Sequence, residues 1–181
     1  MDKTSSAPEL KEEGLRLFQE GLYEEAVVIF EEAQEAFTSE GDEIEAGEMM
    51  NNLGVIYRMR GQWEEAISAL EEAQAIFGRL DDHNREAQTL GNLGGLYASM
   101  GERNEAKECL RQAADIFAEL GDAQHQGETL LALGVQIWKL GDRKEGLAIY
   151  ESGLHTLQKP TISQKALRGL LNLRHRLLTG A

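Results

Sequence analysis

Four histidines, one cysteine and many carboxylates are the groups in this sequence with chemistry to offer. His83, His125, His155 and His175 do not cluster at any usual metal-ligand spacing, and capping or solvated roles suit them. Cys109 stands alone, so no internal disulfide can form. A reducing compartment and an inert core thiol fit it. Acidic pairs at Glu24-Glu25, Glu31-Glu32, Glu64-Glu65 and Glu71-Glu72 read as a solvated helix face rather than a catalytic dyad. Gly91, Gly94 and Gly95 fall inside a helical pattern, and neither G-x-x-x-x-G-K-[ST] nor G-x-G-x-x-G occurs. No catalytic residue, metal ligand or cofactor is therefore expected, and the chain does not read as an enzyme. Asn52 and Asn92 remain. A carboxamide both donates and accepts, so it can grip a peptide backbone whatever side chain that backbone carries. The competing role is a hydrogen bond within or between adjacent helices.

The elements that would position these asparagines repeat. Asn52-Leu53-Gly54 with Tyr57, Gly61 and Ala66 returns 40 residues later as Asn92-Leu93-Gly94 with Tyr97, Gly101 and Ala106. A third copy runs through Leu133-Gly134, Ile137, Gly141 and Gly146, and a degraded first copy through Gly14, Leu17, Gly21, Tyr23 and Ala26. A fixed period of this kind marks stacked supersecondary units. Helix formers dominate, and the only prolines, Pro8 and Pro160, bracket the repeats. Helix pairs are predicted at 8–20 with 23–39, 43–60 with 63–79, 83–100 with 103–119, and 123–140 with 143–158. A last helix is predicted at 162–178. Gly21, Gly61, Gly101 and Gly141 are expected C-cap residues, and Asp42, Asp82 and Asp122 expected N-caps, with Asp42 and Glu45 at capping-box spacing. Gly54, Gly94 and Gly134 each disfavour helix by about 1 kcal/mol, so their recurrence implies that a second helix presses close there.

The 181 residues carry a net charge of −14. Phosphate backbones and anionic lipids are poor partners for such a chain, whereas a basic peptide or protein fits. Residues 161–181 hold Lys165, Arg168, Arg174 and Arg176 and no acid, which leaves −18 on residues 1–160. No apolar run approaches the roughly 18 residues of a membrane span, and residues 1–7 lack the apolar core of a signal peptide. A cytoplasmic location is expected.

Leu53, Gly54, Tyr57, Gly61, Trp63, Ala66, Leu70 and Ala73 resemble the tetratricopeptide repeat in register. The repeat departs from the usual one of about 34 residues. It is longer, lacks a junction proline, and looks most like the repeats of the kinesin light chain and the Partner-of-Inscuteable scaffold. Glu13, Ile137 and Gly146 depart from the motif at the ends. The resemblance implies an all-α, right-handed α-solenoid of four helix-turn-helix repeats, about 8–40, 41–80, 81–120 and 121–160. A flexible tail, 1–7, would precede them, and a C-terminal capping helix with a short tail, 161–181, would follow. Leu167, Leu170, Leu173 and Leu177 of that helix are expected to cover the fourth pair.

In the family, the stripe that carries Glu48, Asn52 and Val55 lines a concave groove. The resemblance therefore implies a peptide-binding set: Glu48, Asn51, Asn52, Val55 and Arg58, then Gln88, Asn92 and Gly95, then Glu128, Val135 and Trp138. Val55, Gly95 and Val135 are expected to leave room on its floor. Trp138 is either an exposed anchor or packs at the last repeat interface. The lysine-rich clamp with which some relatives hold acidic chaperone tails has no counterpart, since Glu48, Gln88 and Glu128 stand in its place. The function implied is a non-catalytic scaffold that captures a peptide or helix. The alternatives are a self-associating module, with a homodimer as its simplest form, and a regulatory domain that binds a small signalling peptide.

Overall fold

A computed structural model of the chain describes residues 5–179, with side chains described to residue 172. The first four residues of the expected tail, and the side chains of Leu173, Arg174, Arg176 and Leu177, lie outside the described residues. Among the described residues the secondary structure is nine helices: α1 (Ala7–Glu20), α2 (Tyr23–Glu40), α3 (Glu43–Arg60), α4 (Trp63–Arg79), α5 (His83–Met100), α6 (Arg103–Glu119), α7 (Ala123–Leu140), α8 (Arg143–Thr156) and α9 (Ile162–Thr179). Every boundary falls within two residues of its expected place. The first helix starts one residue early because Ser6 caps it, its N–H donating to Glu9 Oε2 at 2.9 Å.

The helix ends follow the turn chemistry. At Gly61, φ is 73°, a left-handed conformation that a side chain would strain, and the following N–H reaches back to the Tyr57 carbonyl at 2.9 Å. The Oδ1 atoms of Asp42, Asp82 and Asp122 accept from backbone N–H groups three residues on, at 3.0–3.1 Å. The capping box expected at Asp42 is only half formed, because the Glu45 carboxylate turns to Lys11 Nζ at 2.6 Å instead. At the start of α9 the box is complete: Thr161 N–H donates to Gln164 Oε1 at 2.7 Å, and Gln164 N–H to Thr161 Oγ1 at 3.3 Å.

The chain divides into two compact units, Met1–Leu96 and Tyr97–Ala181, and the boundary falls within α5. In the first unit α1 packs on α2, α2 on α3 and α3 on α4. Phe30, Ala33, Phe37, Met49, Leu53 and Ile56 form a continuous core there. A Cβ on Gly54 would stand 2.5 Å from Leu70 Cγ, so the glycine exists to admit that leucine. Gly14 admits Phe30 in the same way.

In the second unit α6 packs on α7 and α7 on α8. Leu110, Leu133 and Ile137 form its buried cluster. The fourth pair departs from the motif for a physical reason. Gly146 and Gly153 stand where earlier repeats have alanine, and the α8 backbone meets α7 directly. A Cβ on Gly146 would lie 2.6 Å from the Trp138 nitrogen, and one on Gly153 would lie 2.8 Å from the Gly127 oxygen. The last helix corrects one expectation. Leu170 is 65% exposed and so does not cover the fourth pair, whereas Leu167, 36% exposed, is covered over most of its surface. The part of α9 with described side chains is held by Arg168 Nη1, which donates to the Leu154 carbonyl at 3.3 Å.

Candidate functional site

The repeated Asn-Leu-Gly places its leucine and glycine in the core and turns its asparagine out beside the preceding helix pair. In the first unit this brings Glu48, Asn51 and Asn52 of α3 together with Asn84, Arg85, Gln88 and Thr89 of α5. They line a polar cavity of about 320 Å3 whose floor includes Phe77. Three carboxamides expected in a binding set, those of Asn51, Asn52 and Gln88, therefore share one site.

The two sharpest candidates separate. Asn92 Nδ2 donates to Asn51 Oδ1 at 2.9 Å, so this pair ties α5 to α3. Asn52 makes no side-chain hydrogen bond among the described residues and also borders a smaller hollow of about 60 Å3 with Leu15, Phe18, Phe30 and Val55. Gln88 Nε2 is within 2.5 Å of Asn84 Oδ1. The cavity thus combines one uncommitted carboxamide with several already paired.

Its charges are balanced. Lys11 Nζ lies 3.2 Å from Glu48 Oε1, and Arg85 Nη2 lies 3.4 Å from Glu48 Oε2. Burial pulls the Lys11 ammonium down, but Glu45 and Glu48 outweigh it and hold it above its ordinary value. Arg85 is held up chiefly by Asp82, 2.8 Å away. Glu48 is therefore already shared between two cations.

Of the room expected over Val55 and Gly95, a small hollow remains at Val55 and the space at Gly95 is taken. Val55 faces Leu15 and Phe18 of the preceding pair. Over Gly95 lies Arg58, whose Nη1 would be 2.6 Å from a Cβ at that position. In the second unit Glu128 is exposed and accepts from Gln124 Nε2 at 2.6 Å. Val135 and Trp138 are 37% and 46% exposed, and they border an apolar hollow between α7 and α8. The Arg143 guanidinium carbon lies 5.8 Å from the Trp138 ring centre.

Sequence reasoning missed Asn84, Arg85 and Thr89. Thr89 carried a signal: with Thr129 it forms a pair spaced 40 residues apart. Each hydroxyl donates to the carbonyl four residues back, Arg85 at 2.9 Å and His125 at 2.8 Å, so both polar groups are buried and satisfied. Cys109, expected in the core, is half-buried. The His125 ring pairs with the capping Asp122, Nδ1 lying 2.7 Å from Asp122 Oδ2, and stacks on Phe117. Among the described residues no three His, Cys, Asp or Glu side chains gather in a metal-holding group, and no helix is long and apolar enough to cross a membrane.

Helix pairs closed through small residues, repeated at a fixed period, define a helical-repeat protein. The chain belongs to the tetratricopeptide repeat family, whose profile matches residues 14–79 and 45–119. Among solved structures it is similar to BtubC (BKLC) from P. vanneervenii, at 23% identity and a TM-score of 0.77, over 83% of this chain and 62% of that one. It is also similar to the nearly identical TPR-like repeats of a putative kinesin light chain from Podosopora anserina, at 22% identity and a TM-score of 0.73, over 92% and 83%. A Rap protein complexed with competence and sporulation factor is similar at 19% identity and a TM-score of 0.67, over 80% and 41%. At these identities the likeness is one of fold. This chain spans less than two thirds of the length of BtubC. No curated protein sequence matches it.

Proposed function

We propose that the chain is a non-catalytic scaffold that captures an extended peptide segment of a protein partner in the α3–α5 cavity. The observation that supports this reading is the set of carboxamides of Asn51, Asn52, Asn84 and Gln88 around a cavity of about 320 Å3. Paired backbone donors and acceptors of a peptide match such a lining. Glu48 is neutralised by Lys11 and Arg85, so the grip is polar rather than ionic, and basic residues of the partner would act on the acidic surface outside the cavity. A cytoplasmic setting suits the single cysteine.

The test is selection of random peptides on the immobilised chain, compared with selection on Asn52→Ala. Losing one or two hydrogen bonds of about 1 kcal/mol each should weaken the selected peptides by at least fivefold. The circular dichroism melt should be unchanged. Recovery of the same peptides at the same affinity on the variant would remove this site.

A further inference from the structure

Each repeat ends in a face that the first helix of the next repeat covers. In the first repeat the face is Leu15, Phe18 and Phe30, and α3 covers it with Asn52 and Val55. In the third, Leu110 is 3% exposed beneath Leu133 and Ile137 of α7. In register, the fourth repeat offers Val135, Trp138 and Tyr150, three repeats after Leu15, Phe18 and Phe30. There, Val135 and Trp138 are 37% and 46% exposed, and no described side chain of α9 borders them. Together with Leu147 these side chains border an apolar hollow of about 160 Å3. Two cations stand beside it. Lys139 borders the hollow, and the Arg143 guanidinium carbon lies 5.8 Å from the centre of the Trp138 ring. Neither forms an ion pair among the described residues, although the chain as a whole carries −14.

We propose that this face docks an acidic amphipathic helix of a partner protein, laid across α7 and α8. Its apolar stripe would cover Val135, Trp138 and Tyr150, and its carboxylates would meet Lys139 and Arg143. Charge selects the occupant. The helix α9 carries Lys165, Arg168, Arg174 and Arg176 and no acid, so neither this copy's α9 nor a second copy's suits a cationic rim. Docking here is independent of peptide capture in the α3–α5 cavity.

The test is calorimetric titration of the full chain with two synthetic amphipathic helices of about 18 residues, five turns each, that share one leucine stripe. One carries glutamate on its polar face, the other lysine. The glutamate helix should bind saturably, and the lysine helix at least about tenfold more weakly. Trp138→Ala and, separately, Lys139→Glu with Arg143→Glu should each weaken the glutamate helix by at least about tenfold, while Asn52→Ala should not change its affinity. The charge-reversal variant is a surface change, so it keeps the test open if Trp138→Ala disturbs the fold. Equal binding of the two helices, no binding of the glutamate helix, or binding indifferent to both variants would overturn the proposal. So would a dimer of the chain alone, seen by light scattering and dissociated by Trp138→Ala, because the occupant would then be a second copy.

Discussion

Asp81 holds a φ of 55° in the turn slot where the neighbouring repeats place Gly41 and Gly121 at 78° and 70°. Its Cβ is strained there by about 1 kcal/mol or more, only part of which the extra chain entropy of a glycine would take back. Asp81→Gly should therefore stabilise the fold by about 0.5 kcal/mol, read as a higher urea midpoint at unchanged slope. A lower midpoint would mean that the Asp81 carboxylate does something the backbone angle does not reveal. Nothing in the type of residue 81 foretold this. The sequence shows an acidic residue between Leu80 and the cap Asp82, and only the comparison with Gly41 and Gly121 exposes the conformation. The asparagines were legible in the same partial way. Their slot was readable from the period, but the bond from Asn92 to Asn51 needs the crossing of α5 over α3. The capping aspartates make a further residue-scale prediction. The His125 ring and N–H hold Asp122 below its ordinary value. Burial pushes Asp82 up, but the Arg85 N–H and guanidinium outweigh it. A depressed carboxylate contributes stability that is complete above its ordinary value of 3.8 and is lost as pH falls through the lower folded value. The urea midpoint should fall in that acid window, and less steeply in Asp82→Asn with Asp122→Asn, where the amide still caps the helix. An equally steep fall in the double variant would place the acid sensitivity elsewhere.

Helix positions and ends were legible because one 40-residue pattern states them four times, each in independent cap and turn chemistry. What the pattern hid is how closely each pair approaches. Gly146 looked like a weakened motif and is instead the place where α8 lies against the α7 backbone. Two glycine-to-alanine changes, both in helices, should thus have opposite signs. At Gly146 the new Cβ would meet the Trp138 nitrogen at 2.6 Å and the Gly134 oxygen at 2.7 Å, and backbone cannot rotate away. A loss of about 1–3 kcal/mol is expected even after the gain in helix propensity. At Gly91 no atom lies within 4 Å, and alanine should stabilise by about 0.5–1 kcal/mol. Thermal melts of the two variants decide this; equal shifts would mean that α7 and α8 do not touch as described. The last helix shows the converse limit. Its capping box was readable, yet its apolar spacing suggested a covering role that exposed Leu170 does not perform. Amphipathic spacing shows that a helix could bury a face but does not supply the surface to bury it against.

Charge is the property that belongs to the molecule as a whole. A net −14 on 181 residues sets carboxylates against one another over most of the surface, and the few basic residues do not offset them. Several ion pairs exist, such as Arg79 with Glu43 at 2.7 Å and Arg16 with Glu20 at 2.7 Å, but their side chains are 47–59% exposed. Exposed pairs of this kind contribute about 0–1 kcal/mol each, and salt weakens them. Like-charge repulsion is screened by the same salt, and it acts among 32 acids facing 18 bases. The two effects oppose each other in the melting temperature, and the imbalance of charge decides between them. The melting temperature should therefore rise as sodium chloride is added from about 0.01 M, where the screening length is near 30 Å, to about 0.15 M, where it is near 8 Å. A chain held together by its surface ion pairs would melt lower over the same range. Scanning calorimetry across that series separates the two, and Glu32→Gln with Glu71→Gln, which remove repulsion at exposed positions, should raise the low-salt melt while leaving the high-salt melt nearly unchanged.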